Sequence, residues 1–510
     1  MDYIYCASQS FRNIELQNTG VSHYLLSKTS YLRGLQCSKS LFLYRHYPQL
    51  RDPVSPARQA VFNRGHDVGR LAHELFPGGI DVSRGIGPKS EQIVQKTAEL
   101  IAKGAEILYE AAFVFNDILI IADILVKEKE GWHLYEVKSS LRISRTYLND
   151  AALQYYVIKG AGLAVKNVSL IHVNPDYIRG KQFELHEYFR IVPVDNDIRY
   201  QQKTIANRIA ALKNVLNSSQ IPEVAIGSQC FSPYECDFMG QCWKQVNDDS
   251  VFRLTGISRQ VQEEYFRNGV RNIADVPESA ELPRITRLQV KASHTGLPVI
   301  DKEKIKTFFK PYLGAVMFLD IENVQHAVPR YEGTRPFMAL PFAYSIHIND
   351  GKGNSENRTF IAQPGEDPRI EFLKSFLNDT AGEVPIFSYD ITAERQAINH
   401  LIRFFPEYET ELKQRNDRLV DLMKPFAQGW YHHPQMKGSI SLKNVLPALV
   451  PELSHADLRV QNGSHAMSVF EKMCDSTDLF EQAELRDALE EYCKMDTLGM
   501  VEIYRKLTVI

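Results

Sequence analysis

The chain carries no excess of basic charge. Its 59 Lys and Arg stand against 62 Asp and Glu, a formal net charge of −3 over 510 residues. That balance excludes a blanket basic surface, so any nucleic-acid binding has to come from local clefts and bound cations. Long apolar runs are missing too, and no window approaches the roughly 20 residues needed to span a bilayer. The start, Met1-Asp2-Tyr3-Ile4-Tyr5, has neither the basic nor the apolar region of a signal peptide. Cysteine is sparse, with 7 in the chain. Without a secretion signal this points to a reducing cytoplasm, where grouped cysteines are metal ligands rather than disulfides.

What is present is the composition of an ordinary globular protein, 44% hydrophobic and 24% charged. The length exceeds one core, so two domains and a connector are expected. The element pattern suggests an α/β class, divided into residues 1–250, a helical connector over 251–310, and 311–510.

The first chemical signal is a hairpin. Ile118 to Val126 is an apolar run broken by a single carboxylate, Asp123; Lys127 to Gly131 is a charged turn, and Trp132 to Lys138 returns. Alternate strand residues share a face, so Glu136 and Lys138 project together while Val137 turns to the core. An unpaired Asp123 inside a buried strand would be costly. A divalent metal shared by Asp123 and Glu136 removes that cost, and Lys138 beside it could neutralise a phosphate or orient a water. Helices are expected from Ser30 to Tyr44, Pro56 to Phe76 and Ser90 to Lys103, with a strand over Leu108 to Phe113 and a further helix around Tyr147 to Tyr156.

The order Asp123…Glu136-x-Lys138…Gln154 resembles the RecB-like branch of the PD-(D/E)XK nucleases, and most closely the CRISPR-associated single-strand exonucleases that hold an iron–sulfur cluster. The resemblance implies a restriction-endonuclease-like fold, metal binding by Asp123 and Glu136, and a catalytic role for Lys138. It also implies supporting roles for Gln154 and for Glu110, which precedes the hairpin. Gly69-Arg70-Leu71-Ala72-His73 matches the family's Gly-x-x-x-His step, so His73, not His66, is the candidate metal ligand. One position departs from the pattern: Ile158 stands where the family has Tyr.

Cys230-x5-Cys236-x5-Cys242, with Pro233 and Gly240 between, suggests a loop around a metal. Cys37 would supply a fourth thiolate. Zinc sites favour closer cysteine pairs, whereas iron–sulfur sites accept more varied gaps; zinc stays open on spacing alone. The related exonucleases use one early and three late cysteines for a four-iron cluster, which implies the same use here. Cys6, Cys474 and Cys493 have no grouping.

Residues 254 to 310 read as short helices around Gly269-Val270-Arg271-Asn272-Ile273-Ala274, similar to helix–hairpin–helix linkers. Beyond them, Ala315-Val-Met-Phe-Leu-Asp320-Ile321-Glu322 places two acids on one face of a strand. Such a pair repels unless cations bridge it, as a two-metal site does. Strands through Phe342, Tyr344 and Ile346 and then Phe360 follow. Next come Ile386 to Glu394 at a strand-to-helix junction, Asp421, and a last helix with Tyr492 and Asp496 at i and i+4.

This set resembles the DEDD-type 3′–5′ exonucleases of the RNase H-like fold, in the Tyr-x-x-x-Asp variant. The resemblance implies that Asp320, Glu322, Glu394 (or Asp390) and Asp496 hold metal and that Tyr492 orients water. The second motif departs from the pattern, with Asp390 in place of Asn and Ala393-Glu394 in place of an aromatic and Asp. Nearly the whole chain resembles a bacterial family in which two such halves are fused, including Gly333-Thr334-Arg335-Pro336 and Gly438 to Pro451; Arg335 and Lys443 are candidate phosphate contacts. The expectation is a Mg²⁺- or Mn²⁺-dependent nuclease with two sites, acting on single strands or ends of DNA. The alternatives are an RNA-directed exonuclease and a nucleic-acid-binding scaffold with inactive sites.

Overall fold

The structure, a computed structural model, describes residues 26–86, 90–277 and 279–510. Cys6 and the Met1–Tyr5 start lie outside the described residues. The chain is mixed α/β with several sheets. It separates into two compact units: residues up to Lys244 together with His326–Phe337, and Gln245–Gln325 together with Met338–Ile510.

The first unit is built on a sheet of β1 (Leu26–Ser27), β2 (Ile80–Asp81), β3 (Ile107–Phe115), β4 (Ile118–Glu128), β5 (Gly131–Lys138), β6 (Val165–Val173) and β7 (Phe189–Pro193). The order is β2-β3-β4-β5-β6-β7, with β1 beside β4. Local chemistry makes the meander. Asn116 and Asp117 both take positive φ, the backbone that closes a tight hairpin between right-twisted strands. Gly131 opens β5 at φ 150°, and a Cβ there would come 2.5 Å from the Ala164 carbonyl. Strand β6 runs parallel to β5, which requires a crossover. The helix Arg145–Gly160 provides it, N-capped by Ser144. Its Ala151, Ala152, Leu153, Val157 and Ile158 are fully buried in the core, so Asp150 and Gln154 are carried inside with them.

The expected single helix from Ser30 to Tyr44 is instead two, Lys28–Gln36 and Ser38–His46. Cys37 stands between them with extended backbone, and its sulfur accepts from Ser40 N to cap the second helix. An uninterrupted helix would leave the early cysteine inside a turn rather than at a corner.

The second unit contains a two-stranded piece, β8 (Val299–Ile300) with β14 (Tyr431–His432), and a five-stranded sheet. That sheet comprises β9 (Val316–Gln325), β10 (Ala339–Asn349), β11 (Ser355–Ile361), β12 (Ile386–Ser388) and β13 (Leu419–Asp421), in the order β11-β10-β9-β12-β13. Strands β9, β10 and β11 are antiparallel neighbours, whereas β12 and β13 continue parallel to β9. The 30-residue helix Leu479–Thr508 is the longest among the described residues. Its Leu489, Met500 and Ile503 are fully covered.

Two expectations on organisation change. Residues 251–310 belong to the second unit because Ile305 and Phe309 pack with Phe318, Phe387 and Tyr504. Arg335 lies in the His326–Phe337 segment, which belongs to the first unit. Ala327 and Phe337 pack there against Tyr177 and Tyr188, and the Tyr188 hydroxyl donates to the Ala327 carbonyl at 3.0 Å. Among the described residues no helix is long and apolar enough to cross a membrane.

Candidate functional sites

Strand register aligns three carboxylates of the first unit. Tyr109 pairs with Ile124 and Ala111 with Ala122, which sets Glu110 level with Asp123. Ile124 pairs with Tyr135, which sets Asp123 level with Glu136. Glu110 interrupts its strand at φ 54°, a conformation that costs a non-glycine residue and marks constrained positions. Burial, reinforced by the charge of Asp123, pushes the Glu110 carboxyl up to about 8. Asp123 accepts the Val137 N–H at 2.7 Å.

Glu136, 1% exposed, accepts three donors. Its Oε1 takes Lys138 Nζ at 2.5 Å and Lys28 Nζ at 2.8 Å; its Oε2 takes Gln154 Nε2 at 2.5 Å. Asp150 completes the group, accepting Lys138 at 2.6 Å and Gln154 at 3.1 Å. Burial would lower the Lys138 ammonium, yet Asp150, Glu136 and Asp123 outweigh it and hold the group well above the ordinary lysine value. Lys138 is therefore a fixed cation rather than a base at neutral pH.

His73 stacks on Tyr109 at 4.1 Å and its Nε2 lies 4.0 Å from Glu110 Oε1. Burial lowers its pKa, against the pull of Asp81, so the ring is in the neutral form that can ligate a metal. The structure thus gathers Lys138, Glu136 and Gln154 tightly, aligns Asp123 and Glu110 beside them, and leaves His73 at the Glu110 edge. Lys28 and Asp150 were missed. Asp150 lies four residues before Gln154 on one helical face, a readable signal; Lys28 gave none.

Cys37, Cys230, Cys236 and Cys242 all line one recess together with Phe238 and Met239. Burial, and then the neighbouring thiols, raises the Cys37 pKa. Asp237, next to Cys236, accepts Arg33, Arg51 and Arg58 at 2.7–2.8 Å. Although burial opposes it, these guanidiniums draw its carboxyl down to about 2. They tie the cysteine loop to the early helices independently of the thiols. From the same loop Tyr234 reaches Tyr147, whose ring lies 5.3 Å from Lys138 Nζ.

In the second unit Asp320, Glu322 and Asp496 present carboxylate oxygens within 4.8 Å of one another, the one such group of three or more metal-ligating residues among the described residues. Asp320 Oδ2 and Glu394 Oε2 are buried without a hydrogen-bond partner. Such orphaned anionic oxygens are costly unless a cation meets them. Burial and Asp496 raise Glu322 to about 8; burial raises Glu394 to about 7. Asp320 is driven well above the carboxylate range by burial and then by Asp496, Glu322 and Glu394. Tyr492 is buried, and burial together with Asp496, Glu322 and Asp320 raises its phenol far above the ordinary value.

Glu394, not Asp390, is the second-motif acid that faces this cluster. Asp390 is exposed at φ 63° and is spent on Thr392, whose hydroxyl it accepts at 2.6 Å. Lys443 lies 5.5 Å from the Tyr492 ring, and its amine donates to the Gln461 carbonyl. Two contacts were missed. His455 Nε2 is 2.7 Å from Asp496 Oδ1, and Gly463 lies so close that a Cβ would sit 3.3 Å from Glu322 Oε2. Cys493, expected to be ordinary, is buried against the carboxylates, and burial followed by Glu322 raises its thiol well up.

These shifts fix a pH dependence. A carboxyl whose folded pKa is raised stabilises the fold when protonated, fully so below its unfolded value, and loses that contribution as pH rises through the folded value. With an ordinary value of 4.5 for Glu322 and Glu394, metal-free stability is expected to fall between about pH 4.5 and about pH 8. Scanning calorimetry in chelator tests this. Added Mn²⁺ should raise the second unit's melting temperature far more near pH 9 than near pH 6, because only the ionised cluster binds it. Equal shifts at both would refute the assignment.

Comparison with known proteins adds one match. Residues 317–441 fit a family described as a domain of unknown function, DUF2779. That stretch includes Asp320, Glu322 and Glu394 and stops short of Lys443, His455, Tyr492 and Asp496. No curated protein matches the chain.

Proposed function

We propose that the chain is a divalent-metal-dependent nuclease with two active sites, hydrolysing phosphodiester bonds of DNA at single strands or ends. One observation carries the reading: the Asp320–Glu322–Asp496 cluster, with Glu322 and Asp496 buried and orphaned oxygens on Asp320 and Glu394. The chemistry of the donor set fits Mg²⁺ or Mn²⁺, which take carboxylate oxygens. When bound, such ions supply charge neutralisation for the phosphate and activation of water. In the second unit Asp320, Glu322, Glu394 and Asp496 would hold them. Tyr492 is placed to orient the attacking water, His455 holds the Asp496 carboxylate in position, and Lys443 offers a cation to the phosphate. The strand order supports an RNase H-like unit that trims from a 3′ end.

In the first unit the three-stranded meander, crossover helix and parallel β6 support a restriction-endonuclease-like core. Asp123 and Glu136 would hold the metal, with Glu110 and His73 at its edge. Lys138, permanently cationic, would neutralise the phosphate. The five-residue gaps between Cys230, Cys236 and Cys242 favour an iron–sulfur cluster over a single zinc, and its role would be to staple Cys37 to the 230–242 loop.

The test is release of label from 5′- and 3′-labelled single-stranded DNA, with an RNA oligonucleotide in parallel, using Mn²⁺ and anaerobically purified protein. Wild type, Lys138→Ala, Asp320→Ala and the double variant are compared. Each single variant should lose a distinct product pattern, and the double variant should be inert. Tight binding without cleavage by the wild type would replace the nuclease with a scaffold. Preferential cleavage of the RNA would reassign the substrate.

A further inference from the structure

In the first unit the donors on Glu136 pose a problem that the proposed metal role does not solve. Both carboxylate oxygens are taken, Oε1 by two ammonium groups and Oε2 by Gln154. Two ammonium groups on Oε1 repel a cation that approaches Glu136 unless one of them moves away, and an ammonium released into a buried site needs another anion. Asp150 is that anion. It is 2% exposed, already holds Lys138 at 2.6 Å, and lies 3.7 Å from Lys28 Nζ. Lys28 needs only a shift of about 1 Å to bond Asp150 at ordinary ion-pair length. The two lysines balance Glu136 and Asp150, with the charge of Asp123 acting on both lysines as well, so the transfer leaves Lys28 paired. Gln154 spans both acids and can stay on Asp150 throughout.

We infer that Lys28 and Asp150 form a counter-ion exchange that controls metal entry: Lys28 occupies Glu136 while the site is empty, and Asp150 receives it when Glu136 turns to the cation. Resting on the nuclease reading of this site, the inference makes Lys28 and Asp150 positioning residues. Lys28 supplies a resident cation that keeps Glu136 paired until metal arrives, and metal binding competes with it. A purely structural Lys28 would behave oppositely, since its loss would loosen the site and weaken metal binding.

The measurement is Mn²⁺ affinity by calorimetry and by the EPR signal of free Mn²⁺, on the full chain carrying Asp320→Asn and Asp496→Asn to silence the second cluster. Lys28→Met removes the competing charge and should tighten Mn²⁺ binding by about tenfold or more. Asp150→Asn removes the receiving anion and should weaken binding by a similar factor. Because the two act through one exchange, the Asp150→Asn loss should shrink in the Lys28→Met background. Unchanged or weaker binding by folded Lys28→Met overturns the exchange, and so does strict additivity in the double variant. Should Lys28→Met fail to fold, Asp150→Asn decides, and undiminished affinity there overturns the proposal. Failure of the nuclease reading looks different: Asp123→Asn would then leave Mn²⁺ binding unaltered in every background.

Discussion

Asp320→Asn is expected to abolish Mn²⁺-dependent release of 3′ label while making the metal-free protein more stable. The two effects share one cause. Asp320 carries an orphaned buried oxygen and faces Glu322, Glu394 and Asp496, so its negative charge is an electrostatic burden in the absence of metal. An amide of the same shape removes the repulsion. On the proposed reading, the same exchange deletes a metal ligand and its share of the charge that stabilises the transition state. Several kcal/mol of that kind corresponds to a rate loss of about 10³-fold or more. The melting temperature of the second unit in chelator should rise by roughly 2–8 °C, the range for a gain of about 1–2 kcal/mol in a unit of this size. Label release and calorimetry check both halves. Retained cleavage would show that the cluster is not catalytic, and a lower melting temperature would show that Asp320 is a structural partner.

On the iron–sulfur reading proposed above, Cys230→Ser should remove visible absorption and selectively destabilise the first unit. Cys230 sits in the loop region that Cys37 faces across the recess, and a cluster spanning them cross-links positions nearly 200 residues apart in sequence. Ligand binding to such a site is folding energy. By analogy with a cross-link closing so long a loop, its loss should cost about 3–5 kcal/mol. The clamp of Arg33, Arg51 and Arg58 on Asp237 remains, so the unit should melt early rather than fail to form. Cys474→Ser, on the helix Gly463–Asp475 of the second unit, should leave the absorption intact. If Cys230→Ser keeps the colour and the melting profile, the thiols merely pack.

The sequence by itself determined whatever depends on neighbours along the chain. The apolar run, charged turn and return of residues 118–138 define a hairpin, and β4 and β5 occupy nearly those bounds. Acids two apart on β9 must share a face, because the pleat has a period of two. Tyr492 and Asp496 must share a helical face. The Cys230–Cys242 spacing was equally legible as a loop with three thiols.

Only the tertiary structure decided which groups complete each site. Lys28 meets Glu136 across 108 positions, and His455 meets Asp496 across 41; no local pattern encodes either contact. The choice of Glu394 over Asp390 turned on a positive-φ corner that directs Asp390 to the Thr392 hydroxyl. Arg335 went to the first unit because apolar Ala327 and Phe337 flank it and bury there, whatever its charge suggested. The physical reason is common to these cases. Periodicity fixes which face a side chain occupies, whereas the partner it meets depends on how sheets and helices pack, and that is set by apolar burial summed over the whole unit.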